Sequence, residues 1–221
     1  MQFKILSPLG DADRRRVLAG TVRHTFARRA LLFSEGDPGD TMHLIAKGRV
    51  AVRITTPLGE QATVAVLGAG DVVGTFAAIA DGHRRAASVE ALESTETWSL
   101  SREQLTALRR IHPSIEQFVV DVLIADVRRV DALLLEALYL PVELRVLRRL
   151  LDLTALYGRD GIPGHPVEIA VTQHDLASMA GTSRATANRV LRELEELGAV
   201  KLNRNRIHVL DQRAVRARSG E

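Results

Sequence analysis

The chain contains no cysteine. That excludes disulfides, thiolate zinc sites and cysteine-ligated iron–sulfur clusters. Aromatic residues make up only 4% of its 221 positions, so the cores must be built from Leu, Val, Ile and Ala. No unbroken apolar run approaches the roughly 18 residues that a membrane span requires, so no membrane association is expected. The opening stretch MQFKILSPLGDADRRR lacks an apolar signal segment with a small-residue cleavage site, and a cytoplasmic location is the expectation. Neither a P-loop nor a G-x-S-x-G elbow occurs, and there is no thiol nucleophile, so the chain does not read as an enzyme.

What is present fits a soluble globular protein: 46% hydrophobic and 26% charged residues, at a length that accommodates two modest domains. The net charge of +3 is weak evidence for a nucleic-acid partner, but it is unevenly placed. Residues 111–138 hold five acidic and two basic residues, whereas 172–218 hold nine basic and five acidic ones. The basic excess lies in the C-terminal third.

Residues 1–20 read as a short helical lead-in carrying three arginines at 14–16. From 24 to 98, short apolar runs alternate with Gly- and Asp-containing turns, which predicts a compact antiparallel β unit. Gly36, Gly39, Gly48, Gly59, Gly68 and Gly70 fall at the turns. In 50–54, Val50, Val52 and Ile54 alternate with Ala51 and Arg53, so the first set is expected to face the core and the second solvent. Asp37 and Asp40 flank Gly39 without EF-hand spacing and read as turn acceptors.

Residues 101–111 predict an amphipathic helix capped by Ser101. After Pro113, residues 114–138 contain neither Pro nor Gly, and Ile115, Val119, Val122, Ile124, Val127, Val130, Leu133, Leu134, Ala137 and Leu138 form a wide apolar surface. One small β unit cannot bury that length, so a partner chain is the simplest cover. Pro141 starts a further helix ending near Gly158, followed by a Gly/Pro loop at 158–166 and a short strand at 167–171. The tail 211–221 is polar and reads as frayed.

The run from Thr172 to Val200, TQHDLASMAGTSRATANRVLRELEELGAV, carries the sharpest signal. Thr172 with Asp175 approximates a capping box. Leu176, Met179 and Ala180 give the first helix a buried side, Gly181 turns the chain, and Thr182 or Ser183 caps the second helix. Ala187, Val190, Leu191 and Leu194 point inward. That is the layout of a helix-turn-helix DNA reader. Arg184 and Arg189 suit guanine O6 and N7, and Asn188 suits adenine. Ala185 sits beside them. Ser183 and Thr186 suit phosphates, as do Lys201, Arg204 and Arg206 on the strand pair that follows. The competing reading is a helical hairpin used only for packing.

Taken in order, FSEGDPGDTMHLIAKGRVAV (33–52), GAGDVVG (68–74), GHRRAASV (82–89) and the 172–200 run resemble the cyclic-AMP receptor protein/FNR family of bacterial transcription regulators. The resemblance spans roughly 20–210. It implies an α+β chain with a cyclic-nucleotide-binding-like β-roll at 1–113, a central dimerisation helix at 114–138 and a winged helix-turn-helix domain at 139–221. The implied partners are a second copy of the chain, double-stranded DNA with a palindromic operator, and RNA polymerase.

The family's phosphate cassette maps onto Gly74, Thr75, Arg85 and Ala86. Gly74 and Arg85 fit it. Thr75 stands where an acidic residue normally takes the ribose hydroxyl, and Ala86 where a hydroxyl residue touches the phosphate. Val130 and Asp131 occupy the place of the Thr-Ser pair that contacts adenine. Each lost partner for a buried polar ligand group costs about 1–3 kcal/mol. The sequence therefore calls for no cofactor, and cyclic AMP, the ligand that the resemblance implies, is poorly provided for. Control by another small ligand near Arg85 and ligand-independent action both stay open. Ala185 replaces the Glu usual in this family's reader.

Seven histidines stand at 24, 43, 83, 112, 165, 174 and 208 without metal-binding helical spacing, and are expected at the surface or locally hydrogen-bonded. A haem or metal sensor assembled from distant residues, and a purely structural dimer, are the alternatives of another class.

Overall fold

The computed structural model describes residues 3–7, 9–79, 84–158 and 165–220. His83, and most of the loop expected at 158–166, lie outside the described residues. The chain divides into two compact units, one of residues 1–60 and 64–130 and the other of 61–63 and 131–221.

In the first unit, α1 (Asp11–Ala19) precedes β1 (Val22–Phe26), β2 (Leu31–Phe33), β3 (Thr41–Lys47), β4 (Arg49–Thr55), β5 (Gln61–Gly68, from residue 64 on) and β6 (Val72–Val73). The short α2 (Thr75–Ile79) leads on to β7 (Ser88–Ala91) and β8 (Thr95–Ser101). Two four-stranded sheets result, ordered β1-β8-β3-β6 and β2-β7-β4-β5. The first pairs its strands antiparallel throughout. Successive residues of β3 serve two cores, as a strand's period of two requires. Met42 and Leu44 pack with Leu6, Leu100, Leu105 and Ile115 under the helices. Ile45, with Val73, meets Val50 and Val89 of the other sheet.

The simple alternation expected along β4 does not hold. Val50 is buried, but so are Ala51 and Arg53, while Ile54 is exposed. Arg53 is tolerated inside because Glu90, on neighbouring β7, places a carboxylate oxygen 3.4 Å from its guanidinium. A buried cation needs such a partner.

The helix α3 (Arg102–Ile111) begins at Ser101, whose hydroxyl accepts from the Gln104 amide while the Gln104 side chain accepts from the Ser101 amide. α4 (Pro113–Tyr139) runs 27 residues, about 40 Å at 1.5 Å per residue. Ile115 anchors its start in the first core, and Val119 is buried too. Further along, Val120, Ile124, Val127, Val130, Leu134 and Leu138 are exposed.

The second unit contains α5 (Val142–Gly158), β9 (Val167–Ile169), α6 (Gln173–Met179), α7 (Arg184–Glu196), β10 (Val200–Asn203) and β11 (Arg206–Val209). The capping box of Thr172 and Asp175 forms, and Gly181 takes a left-handed φ of 59° at the turn. Ala187, Val190, Leu191 and Leu194 are buried. Truncating either leucine to Ala is worth about 2–5 kcal/mol. β11 lies between β10 and β9, and Asn205 turns the β10–β11 hairpin at φ 63°.

The tail is not frayed. α8 (Gln212–Ser219) starts at Asp211, whose carboxylate accepts from the amides of Arg213 and Ala214, and ends at left-handed Gly220. Val215 is fully buried, and α8 packs on α5. One apolar residue with good caps at both ends secures a segment whose composition alone looks unstructured.

Candidate nucleic-acid interface

Ser183 is the N-cap of α7, and its hydroxyl accepts from the Thr186 amide at 3.1 Å. The two hydroxyls stand 3.0 Å apart, so the pair closes the helix start. Arg184 and Ala185 are exposed on the first turn, and no hydrogen bond or ion pair engages Arg184 among the described residues. Asn188 is withdrawn: it is half-buried, with its Oδ1 enclosed and lacking a hydrogen-bond partner.

Arg189 is exposed but not idle. Its Nη2 donates to Glu143 of α5 at 2.6 Å, and its Nη1 to Glu193 at 3.1 Å. These contacts raise the Arg189 pKa, the Glu143 hydrogen bond contributing most. The Glu143 carboxyl is held below the usual range, first by its own backbone amide and then by Arg189. On the strand pair, Lys201 and Arg204 are exposed, with Arg204 in the turn. Arg206 forms an ion pair with Glu168 of β9. Arg192 is tied to Glu195 at 2.6 Å.

The residues matching the family's phosphate cassette gather in the first unit. Gly74 has φ 80°, Thr75 opens α2 and is buried, and Ala86 is exposed. Arg85 is 6% exposed and turned into the protein. Its Nη1 donates to the Thr41 carbonyl at 2.6 Å and its Nη2 to the Thr41 hydroxyl at 2.8 Å. The guanidinium carbon lies 4.1 Å from the centre of the Phe33 ring. A Cβ on Gly74 would stand 2.6 Å from Nη1, and one on Gly39 would stand 2.9 Å from Nε. At Gly39 the nearer obstacle is the Ala77 Cβ, at 2.5 Å, so Ala77 and Arg85 together exclude a side chain there. Burial lowers the Arg85 pKa, opposed by the charges of Asp40 and then Asp37. Nε alone is enclosed without a partner. Asp37 also caps its turn by accepting from the Ser34 amide, the turn role expected for it.

Val130 and Asp131 lie exposed on α4, and no hydrogen bond or ion pair joins either to the Arg85 cluster among the described residues. Sequence reasoning did not foresee Thr41 and Phe33 as the partners of Arg85. It also missed the histidine pair beside them. His24 bonds Ser99 at 3.0 Å, His43 bonds Thr97 at 3.1 Å, and the two rings are 5.5 Å apart. The His43 pKa falls to about 4, through burial first, then the charges of His24 and Arg85. The strand register that unites them, His24 opposite Thr97 and His43 opposite Ser99, has no local signature. His112 lies 3.9 Å from Asp13 and His208 3.0 Å from the Asn203 amide, while His165 and His174 are exposed.

Comparison with known proteins bears on both units. Residues 23–112 match the cyclic nucleotide-binding domain, and 144–218 match the Crp-like helix-turn-helix domain. The chain is 33% identical, over 187 residues, to the cyclic AMP receptor protein of Thermus thermophilus, covering 85% of this chain and 83% of that one. It belongs to the cyclic-AMP receptor protein/FNR family. Members of this family are transcription regulators, not enzymes, and this regulator carries a helix-turn-helix DNA-binding domain. A CRP-like cAMP-activated global transcriptional regulator of Mycobacterium tuberculosis is 26% identical over 194 residues, covering 88% of this chain and 86% of that one. Among solved structures, the catabolite activator protein of Thermus thermophilus covers 98% of both chains at 29% identity and a TM-score of 0.55. The c-di-GMP responsive global regulator of Xanthomonas campestris shares the fold, with a TM-score of 0.75 at 22% identity, covering 91% of this chain and 99% of that one. Among the described residues, no helix of this family member is long and apolar enough to cross a membrane.

Proposed function

We propose that the protein is a cytoplasmic homodimer that binds a palindromic operator through α7 and the β10–β11 hairpin without needing cyclic AMP. The observation that carries the dimer is the exposed stripe on α4. Val120, Ile124, Val127, Leu134 and Leu138 are 39%, 45%, 60%, 56% and 65% exposed. Their steps of four, three, seven and four follow the heptad seam of a two-helix coiled coil, and a self-complementary stripe suits a second copy. Pairing two such helices would present two readers for half-sites about 34–36 Å apart.

Within each reader, Arg184 is the leading base contact, joined by Arg189. Ser183, Ala185, Thr186 and Asn188 frame the same helix start. Lys201, Arg204 and Arg206 serve the flanking phosphates, which position the reader without specifying sequence. RNA polymerase is the further partner proposed for the bound dimer.

Independence from cyclic AMP is supported by Arg85, whose two Nη groups already bond Thr41. A phosphate arriving there must compete with Thr41 for the Nη groups, and Ala86 offers it no hydroxyl. The second reading is a regulator gated by cyclic AMP or another anionic ligand. It is favoured by the enclosed, unpartnered Nε of Arg85 and by the cyclic-AMP-linked names of two relatives.

Sedimentation equilibrium and footprinting on the operator, with and without cyclic AMP, test the proposal. A dimer giving the same half-protection concentration in both conditions supports it. A monomer would overturn the dimer, and a tenfold or larger shift with cyclic AMP would replace independence by gating.

A further inference from the structure

We infer that Glu143, Glu193 and Arg218 form a charge network that sets how much of Arg189 is available to DNA, so that Glu143 weakens operator binding and Arg218 strengthens it. The inference rests on the proposed role of Arg189 as a DNA contact.

The network joins three helices. Glu143 is on the first turn of α5, Arg189 and Glu193 lie on α7, and Arg218 is on the last turn of α8. Charges alternate along it. Glu143 accepts from Nη2 of Arg189 at 2.6 Å, Glu193 Oε1 accepts from Nη1 at 3.1 Å, and Glu193 Oε2 accepts from Arg218. A guanidinium reads guanine with two N–H groups presented side by side. In Arg189 both Nη groups already face carboxylates. Each Nη keeps a second N–H, but a base must compete with these carboxylates for the guanidinium, and exchanging them frees it fully; Arg184 faces no such competition.

The exchange is cheap enough to be useful. The Arg189 and Glu143 side chains are 54% and 42% exposed, so water screens their attraction. DNA can displace such a pair, yet the carboxylate released is a negative charge left near phosphates. Arg218 acts with the opposite sign. It engages the second oxygen of Glu193, so part of that carboxylate's hydrogen bonding is directed away from Arg189. Without Arg218, Glu193 would close on Arg189 alone. Glu143 and Arg218 are positioning residues acting through Arg189.

The test is a set of binding cycles on an operator duplex selected by the wild-type protein from a randomised DNA pool. Fluorescence anisotropy would compare Glu143→Gln, Arg218→Ala, Arg189→Ala and the two double variants at one salt concentration. Glu143→Gln is expected to tighten binding and Arg218→Ala to weaken it, each by about two- to fivefold, the range of exposed ion pairs. Both effects should largely vanish in the Arg189→Ala background. Single variants that shift affinity in the same direction, or effects that persist without Arg189, would overturn the inference. Glu143→Gln preserves side-chain shape, so its cycle alone decides should Arg218→Ala unfold α8. If Arg189→Ala binds the operator as tightly as wild type, the DNA-contact role of Arg189 fails and the network role fails with it. If Arg189→Ala weakens binding while Glu143→Gln changes nothing, only the network role is lost.

Discussion

Arg85 donates to Thr41 twice, through Nη1 to the carbonyl at 2.6 Å and through Nη2 to the hydroxyl at 2.8 Å. A threonine of the chain thus engages both Nη groups that a ligand phosphate would also approach. Thr41→Val keeps the side-chain shape but removes the hydroxyl, leaving one donor of a buried guanidinium unpaired. The expected cost is about 1–2 kcal/mol of unfolding free energy, measured by urea denaturation. The same variant frees Nη2, so calorimetric titration with cyclic AMP should show tighter binding than wild type. Equal stability of the two proteins would mean that water replaces the hydroxyl.

His43 makes the first unit sensitive to acid. Its folded-state pKa lies at about 4, below the ordinary 6.5. Between those values the unfolded chain binds more protons than the folded one, so stability rises with pH. The contribution is fully present above pH 6.5 and is lost as pH falls towards 4. Its size is about 3 kcal/mol at most, at 1.36 kcal/mol per unit. His43→Phe should flatten this part of the stability profile, measured by denaturant melts at pH 7 and pH 4.5. An unchanged slope in that variant would place the acid sensitivity elsewhere.

Asp131 occupies the heptad position between Val127 and Leu134 on the exposed stripe of α4. In the proposed dimer the two copies bring like charges to the seam, and a polar residue there costs stability while fixing register. Asp131→Leu should lower the dimer dissociation constant at least about tenfold. Sedimentation equilibrium over a concentration series reads this directly. No change would put Asp131 outside the seam.

Arg184→Ala should weaken binding to the selected operator by about 1–3 kcal/mol, and to random DNA by clearly less at the same salt concentration. Equal losses on both duplexes would make Arg184 a phosphate contact rather than a base reader.

The reader was legible because its determinants are local. The Thr172–Asp175 cap, the turn at Gly181 and the inward set of Ala187, Val190, Leu191 and Leu194 all fall within one short run and form as expected. The β-roll was legible as a class from its apolar runs and turns, but not in detail. Arg53 was misjudged because its burial depends on Glu90 of another strand. The polar interior of His24, His43, Thr97 and Ser99 depends on pairing residues more than 50 positions apart. Arg189 reads from the sequence as a candidate DNA contact, but its tie to Glu143 spans 46 positions and two helices. α8 carried its own signals, Asp211 before it and Gly220 after it, which its polar composition masked.

That last helix has a practical bearing on how the protein is handled. Residues 212–219 are packed structure, with Val215 buried and Arg218 bound to Glu193 two residues before Gly220. An affinity tag or fluorescent fusion joined directly after this point would sit against the ion pairs that reach the recognition helix, and a charged tag would add to them. A neutral spacer on the C-terminal side, or placement of the tag at the other end, is the safer design for any DNA-binding assay.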